Sequence, residues 1–334
     1  MQTVLEKNFG IKKAILVLFL FCIALGSFMP GNGHAGPQKK PEQEEIIVVG
    51  DRVVDIAYNL GVLPVAMAVR KSLWPLADKI ATSSQILGCP NRVTQKRKDK
   101  IPEALKEFGV KKLVLSKGHD PYCLYKPMIS PKAVEPLVKG MDVNIEYVDF
   151  SKGLEPAIRQ TAELFGVKDK ADGLISAYKQ DMQRTKEFLP AQSLEKKVII
   201  ISGTFQPSSG KSLLRIEAPG GYADRFLLKP LGCENAGDVF SQGKKPSKGH
   251  YMVRKKRGEL DLDPLLEANP DIIVMTGDAF AVQKALDNYA EKKPKIKNVK
   301  AIKDMAVFSL PGYVDSGVIE YPSVLRKWAV AFSN

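Results

Sequence analysis

Two stretches decide the fold: EALKEFGVKKLVL at residues 103–115 and DPLLEANPDIIVM at residues 263–275. Each reads as a short amphipathic helix that turns directly into an apolar strand. A strand written as a near-continuous apolar run is buried on both faces, which is the signature of a parallel strand covered by helices. Working outward, IIVV at 46–49 is closed by Gly50-Asp51, and residues 53–60 carry helical spacing. Further strands are expected at 79–82, 113–115, 143–147, 197–202, 272–275 and 306–310. Helices are expected at 102–108, 263–268, 281–289 and 321–332. Strands alternating with helices argue a parallel, doubly wound sheet. The same unit in both halves argues two lobes of similar build with a cleft between them.

Residues 154–190 break the alternation. Residues 154–165 are helical, Gly166 punctuates, and Asp169 is placed to cap a second helix. Leu174, Ile175, Tyr178, Met182, Thr185 and Leu189 recur at three- and four-residue steps, and Pro190 marks the end. About 20 helical residues span ~30 Å. The expected architecture is α/β: two doubly wound α/β lobes joined by a single long connecting helix. The N-terminal lobe is 45–150, the connecting helix 151–193 and the C-terminal lobe 194–334.

The N-terminus reads as an export signal over residues 1–35. Lys7, Lys12 and Lys13 precede an uncharged apolar stretch at 14–28, and Gly33-His34-Ala35 fits a small-x-small cleavage site. The stretch is shorter than the ~20 residues a spanning helix needs, and Phe21 before Cys22 argues against acylation there. Residues 36–44 are a polar, Pro-containing flexible leader. Removing three Lys and one Glu with the signal takes the net charge from +13 to +11. A basic protein outside the cytoplasm points away from nucleic acid and toward an anionic ligand or surface. With 44% apolar residues the chain is not a disordered one.

Taken in order, these features suggest a family. LDPLLEANPDIIVM (262–275), LLKPLGCENAG (227–237) and KDMAVFSLPG (303–312) follow an export signal, an α/β lobe and a long helix. The set resembles the helical-backbone (class III) periplasmic solute-binding proteins of ABC importers. The resemblance implies a periplasmic, monomeric, non-enzymatic protein with no required cofactor. Such a protein captures an iron–siderophore, haem or cobalamin in the inter-lobe cleft, or in one branch a bare metal ion. It hands this cargo to a permease and ATPase in the inner membrane. It further implies one acidic docking residue per lobe. Asp263 stands at the second-lobe position, whereas Glu103 is one residue off register, and Lys111-Lys112 replace the family's Pro-Asp before the first-lobe strand.

The loop SKGHDPYCLYKP (116–127) concentrates His119, Asp120, Tyr122, Cys123 and Tyr125 after a strand. His, thiolate and phenolate groups bind borderline and hard metals, so His119 and Cys123 are candidate metal ligands, and aromatic faces suit a flat chelate. Cys89 follows the strand expected at 79–82. If the two strands are adjacent, Cys89 and Cys123 meet at one edge as a disulfide, favoured by export, or as paired thiolate ligands. Cys233 is left without a role. Arg52, Lys126, Lys211, Arg215, Arg225 and Arg254 supply positive charge at expected cleft loops. Phe205, His250-Tyr251, Asp278 and Tyr313 complete the expected ligand contacts, with His250-Tyr251 opposing His119-Tyr122. A receptor for a bare transition-metal ion, using His, Cys and Tyr ligands, is the alternative, although only His119 and His250 follow the signal. A secreted enzyme on the same frame lacks any nucleophile–base motif, and FQPSSGKS (205–212) misses the first Gly of a phosphate-cradling loop.

Overall fold

The computed structural model describes residues 42–71, 74–117, 131–206, 211–247, 249–253, 259–312 and 317–333. The expected export signal and the leader through residue 41 lie outside them.

The first sheet is built from β1 (Glu42–Val49), β2 (Val62–Ala68), β3 (Gln85–Gly88), β4 (Lys112–Lys117) and β5 (Asn144–Asp149). Its order is β3-β2-β1-β4-β5, with every pairing parallel. Helices α1 (Asp51–Asn59), α2 (Leu76–Ile80), α3 (Pro90–Gln95) and α4 (Lys100–Glu107) lie between the strands, and α5 (Leu154–Leu164) follows them. One face of the sheet packs Val48, Leu63 and Met67 against Val53, Ile56, Ala157 and Ile158, and the other packs Ile47, Leu113 and Leu115 against Ile101, Leu105 and Val134. The chain winds outward from β1 through β3, then returns to β4 on the other side of β1. That reversal places a topological switch point between β1 and β4, where open α/β sheets bind ligands.

Three sequence expectations change here. β1 begins at Glu42, so residues 42–44 belong to the sheet rather than to the leader; they pair with Val62, Leu63 and Pro64. Residues 76–80 are helix α2, and the strand before Cys89 is 85–88. Strand β2 escapes a pattern reading because Pro64 interrupts it. The proline is tolerated because the β1 register shifts between Glu44 and Ile47 and β3 pairs only from Ala66 onward.

Helix α6 (Ala171–Lys186) has 16 residues, about 24 Å at 1.5 Å per residue. A 3-10 turn at Lys168–Lys170 precedes it, and no side chain caps it. Ala171 and Ile175 are buried in the first lobe's core. At the other end Thr185 Oγ1 donates to the Pro322 carbonyl (3.0 Å), and Arg326 Nη1 donates to Asp181 (2.8 Å). Leu189, just beyond α6, packs in the second lobe's core. The helix is thus anchored at opposite ends in two different cores.

The second sheet holds β6 (Lys197–Gln206), β7 (Lys211–Glu217), β8 (Glu234–Asn235), β9 (His250–Met252), β10 (Ile272–Gly277) and β11 (Val307–Ser309). Its order is β11-β10-β6-β7-β9, with β8 pairing the start of β6. Helices α7 (Lys229–Leu231), α8 (Pro264–Ala268), α9 (Ala279–Lys292), α10 (Lys300–Lys303) and α11 (Tyr321–Ser333) complete the lobe. β6, β10 and β11 are parallel, but β7 and β9 run antiparallel to their neighbours. The second lobe therefore has a mixed sheet, and the stretch expected to be a cleft loop at 205–215 is largely a hairpin. A strand rather than a helix after residue 210 removes the phosphate-loop reading outright.

Gly203 on β6 is where α9 crosses closest. A Cβ there would collide with the Asp278 carbonyl and sit 2.6 Å from Val282 Cγ2. Gly203→Ala is expected to lower stability by ~1–3 kcal/mol through overpacking, read as a shifted urea midpoint at constant slope. An unchanged midpoint would mean that α9 does not pack on β6 in this way.

Candidate functional site

The carboxyl ends of the parallel strands carry the polar groups. In the first lobe Asp51 follows β1 and Arg70 follows β2. Both are buried, the Arg70 guanidinium is paired with the Asp51 carboxylate, and the Arg70 backbone N–H donates to Asp51 Oδ1 (2.7 Å). The pair ties the start of α1 to the end of β2. Next to it Arg52 lies half-buried, its guanidinium 5.3 Å from the Phe150 ring centroid. At the end of β4, Ser116 is buried, and its hydroxyl has no hydrogen-bond partner among the described residues. Lys117 Nζ lies 3.8 Å from Asp149 at the end of β5. Arg52 thus stands in the first turn of α1, which follows β1 beside the switch point, rather than in a loop.

His119, Tyr122, Cys123, Tyr125, Lys126, Arg254 and Tyr313 lie outside the described residues. Cys89 is half-buried at the carboxyl end of β3, preceding α3. The geometric reason for pairing it with Cys123 does not hold. β3 and β4 are separated by β2 and β1, three inter-strand steps or about 14 Å. Cys233 is half-buried, and burial raises its thiol pKa while Lys196 opposes. Among the described residues no three His, Cys, Asp or Glu side chains are grouped to hold a metal ion.

In the second lobe, Phe205, next to last in β6, has 44% of its surface exposed. Phe280, in the first turn of α9 after β10, is 76% exposed; it falls outside the helix expected at 281–289 because α9 starts two residues earlier, at Ala279. Asp278 is the N-cap of α9, accepting from Ala281 N (3.0 Å), so its carboxylate serves the helix. Lys211 opens β7 opposite Gln206, and Arg215 pairs with Ser202. A third cation, Arg225, lies 5.2 Å from the Phe226 ring centroid in an aromatic group with Tyr222 and Tyr321.

Two expected contacts are displaced. His250 pairs with Glu217 on edge strand β9, six residues back along β7 from Lys211, about 20 Å by strand rise. It therefore lies toward the opposite end of β7 from Lys211. Tyr251 is buried in the lobe core and its hydroxyl donates to Asp238 Oδ1 (2.6 Å). The two expected docking acids also have partners. Glu103 is exposed and paired with Lys100 Nζ (2.6 Å). Asp263 is half-buried, accepting from Tyr289 Oη (2.8 Å) and paired with Lys293.

No protein-family model matches the sequence, and no curated protein matches it. Solved structures do match. The periplasmic haem-binding protein RhuT from Roseiflexus sp. RS-1 aligns over 87% of this chain and 98% of its own, with 12% identity and a TM-score of 0.59. The triscatecholate siderophore binding protein FeuA from Bacillus subtilis aligns over 86% and 91%, with 20% identity and a TM-score of 0.53. An ABC transporter substrate-binding protein from Listeria monocytogenes EGD-e aligns over 88% and 100%, with 17% identity and a TM-score of 0.51. The fold is that of the helical-backbone periplasmic binding proteins. Within it, the described carboxyl edges carry Arg52 in the first lobe and Phe205 and Phe280 in the second.

The Asp51–Arg70 pair sets up a direct test. Arg70→Met leaves a buried carboxylate without its counter-ion and is expected to lose ~3–5 kcal/mol. Asp51→Asn in the same chain is expected to recover part of that loss in denaturant titrations. Additive losses would show that the two side chains do not act as a pair.

Proposed function

We propose that this chain is the periplasmic substrate-binding component of an ABC importer. It captures an anionic metal chelate, an iron–siderophore, haem or cobalamin, between its lobes and presents it to the permease and ATPase. One observation carries the reading: at the carboxyl edge of the second lobe, Phe280 is 76% and Phe205 44% exposed, in a fold whose helix α6 is anchored in both lobes. A phenyl ring left in water next to a ligand crevice is unfavourable until something apolar covers it. The organic shell of a chelate has the area to do so. Arg52, Arg215 and Lys211 supply positive charge for its carboxylate, catecholate or phosphate groups, because a guanidinium matches such anions in a planar fork. The chain performs no bond chemistry on its cargo, and capture and presentation are the whole of its work. Glu103 and Asp263 would meet the permease, and Asp263 must first exchange its contact with Lys293.

The deciding experiment is absorbance and mass spectrometry of the mature protein isolated from periplasm, followed by titration with haemin, ferric catecholates and cobalamin. Binding of one of these, with Phe280→Ala weakening it about tenfold, or ~1.4 kcal/mol, is the expected result. Failure of all three chelates, with zinc, manganese, nickel or copper retained in dialysis, would transfer the protein to the bare-metal branch. For docking, Glu103→Lys with Asp263→Lys is expected to abolish uptake through the reconstituted importer while leaving chelate affinity unchanged. Undiminished uptake would remove both residues from that role.

A further inference from the structure

After β11 of the second lobe the chain contacts the first lobe again and crosses back at 317–320, and this crossing is fastened by a buried carboxylate. Asp55, on α1 of the first lobe, is fully buried. Its Oδ2 accepts from the Ile319 backbone N–H (2.8 Å), and its Oδ1 accepts from Asn59 Nδ2 (3.2 Å). Val318 and Ile319 pack against the first lobe's core, whereas Tyr321, directly after, begins the second-lobe helix α11. Gly317 is pressed against the Asp55 carboxyl, so that a Cβ there would lie 2.5 Å from Oδ2. Its N–H donates to Glu320 Oε2 (2.7 Å).

We propose that Asp55 is a positioning residue whose single proton sets how firmly the 317–320 crossing holds the lobes together, and so how firmly the cleft retains its ligand. The charged groups facing Asp55 are Glu320 on the crossing and Asp51 one turn back on α1, the latter paired with Arg70 from the end of β2. β1, β2 and α5 contribute Val48, Leu63, Met67 and Ile158 to this core, together with the uncharged Thr161, whose hydroxyl donates to the Ala157 carbonyl (2.8 Å). Desolvation is the main cause that pushes the Asp55 carboxyl up to about 7; Glu320 and Asp51 add to it, and the N–H groups of Ile319 and Val318 oppose it. When the crossing lifts, water reaches Asp55 and the ordinary carboxylate pKa returns. The closed state therefore binds the proton more tightly than the open one. Tethering is strongest at low pH, weakens as pH rises toward about 7 and levels off above it. The link to ligand retention rests on the binding reading above; the tether itself does not.

Hydrogen exchange of the Ile319 amide, corrected for intrinsic rates, tests the tether without ligand. Its protection is expected to fall roughly twentyfold between about pH 5.5 and about pH 7.5 in the wild type and to stay flat in Asp55→Asn. Glu320→Gln, which keeps Asp55, is expected to move the midpoint to lower pH. Equal pH slopes in wild type and Asp55→Asn, or an unmoved midpoint in Glu320→Gln, would overturn the assignment. A haemin titration of the same proteins reads the second half. Affinity is expected to fall with rising pH in the wild type relative to Asp55→Asn. Parallel pH profiles would disconnect the tether from the cleft. No haemin binding at any pH, with the exchange result intact, would leave the tether standing and count against the binding reading.

Discussion

Everything else in this molecule depends on the two ends of helix α6 being held in different cores. Ala171 and Ile175 are buried among first-lobe residues, while Thr185 and Asp181 are bonded to the segment that opens the C-terminal helix. Each lobe has two apolar layers of its own, one on each face of its sheet. A 16-residue helix without proline has no site for a sharp kink between such anchors, so it acts as a spacer. The spacing of the two cores is therefore set by the length of α6.

The lobes are alike in plan but differ in construction. The first is wholly parallel, and its strand order creates a switch point at Asp51 and Arg52. The second turns β7 and β9 antiparallel, which replaces a helical crossover by a hairpin and projects Phe205 at its tip end. Among the described residues, the Asp51–Arg70 pair and Arg52 stand at the first lobe's edge and exposed Phe205 and Phe280 at the second's.

Much of the frame was legible in the chain. The runs at 46–49, 113–115, 197–202 and 272–275 became central strands because an apolar run long enough to be buried on both faces has few other solutions. The spacing from Leu174 to Leu189 announced the connecting helix. β2 was missed because Pro64 is a poor strand residue, tolerated only where its neighbours leave the ladder irregular. The candidate site was less legible. Asp278 and Tyr251 were expected as ligand contacts, but Asp278 is a helix cap and Tyr251 is core, while exposed Phe280 falls just before the helix expected at 281–289. Which way a side chain faces depends on where its element starts, and a shift of one residue on a strand reverses it.

The sequence by itself determined the alternation of helices and strands, the two halves and the rod between them, because periodicity and apolar run length are local properties. It also contained one long-range clue, an acid set within the apolar stretch VVDIA at 53–57. Only the tertiary structure decided what that acid does. Asp55 meets Ile319 across 264 positions of chain, and Asp51 meets Arg70 across 19. Partners of this kind are chosen by how sheets stack and where the chain crosses back. A buried charge must find its hydrogen bonds wherever the fold brings a donor, and no pattern within a helix states where that will be.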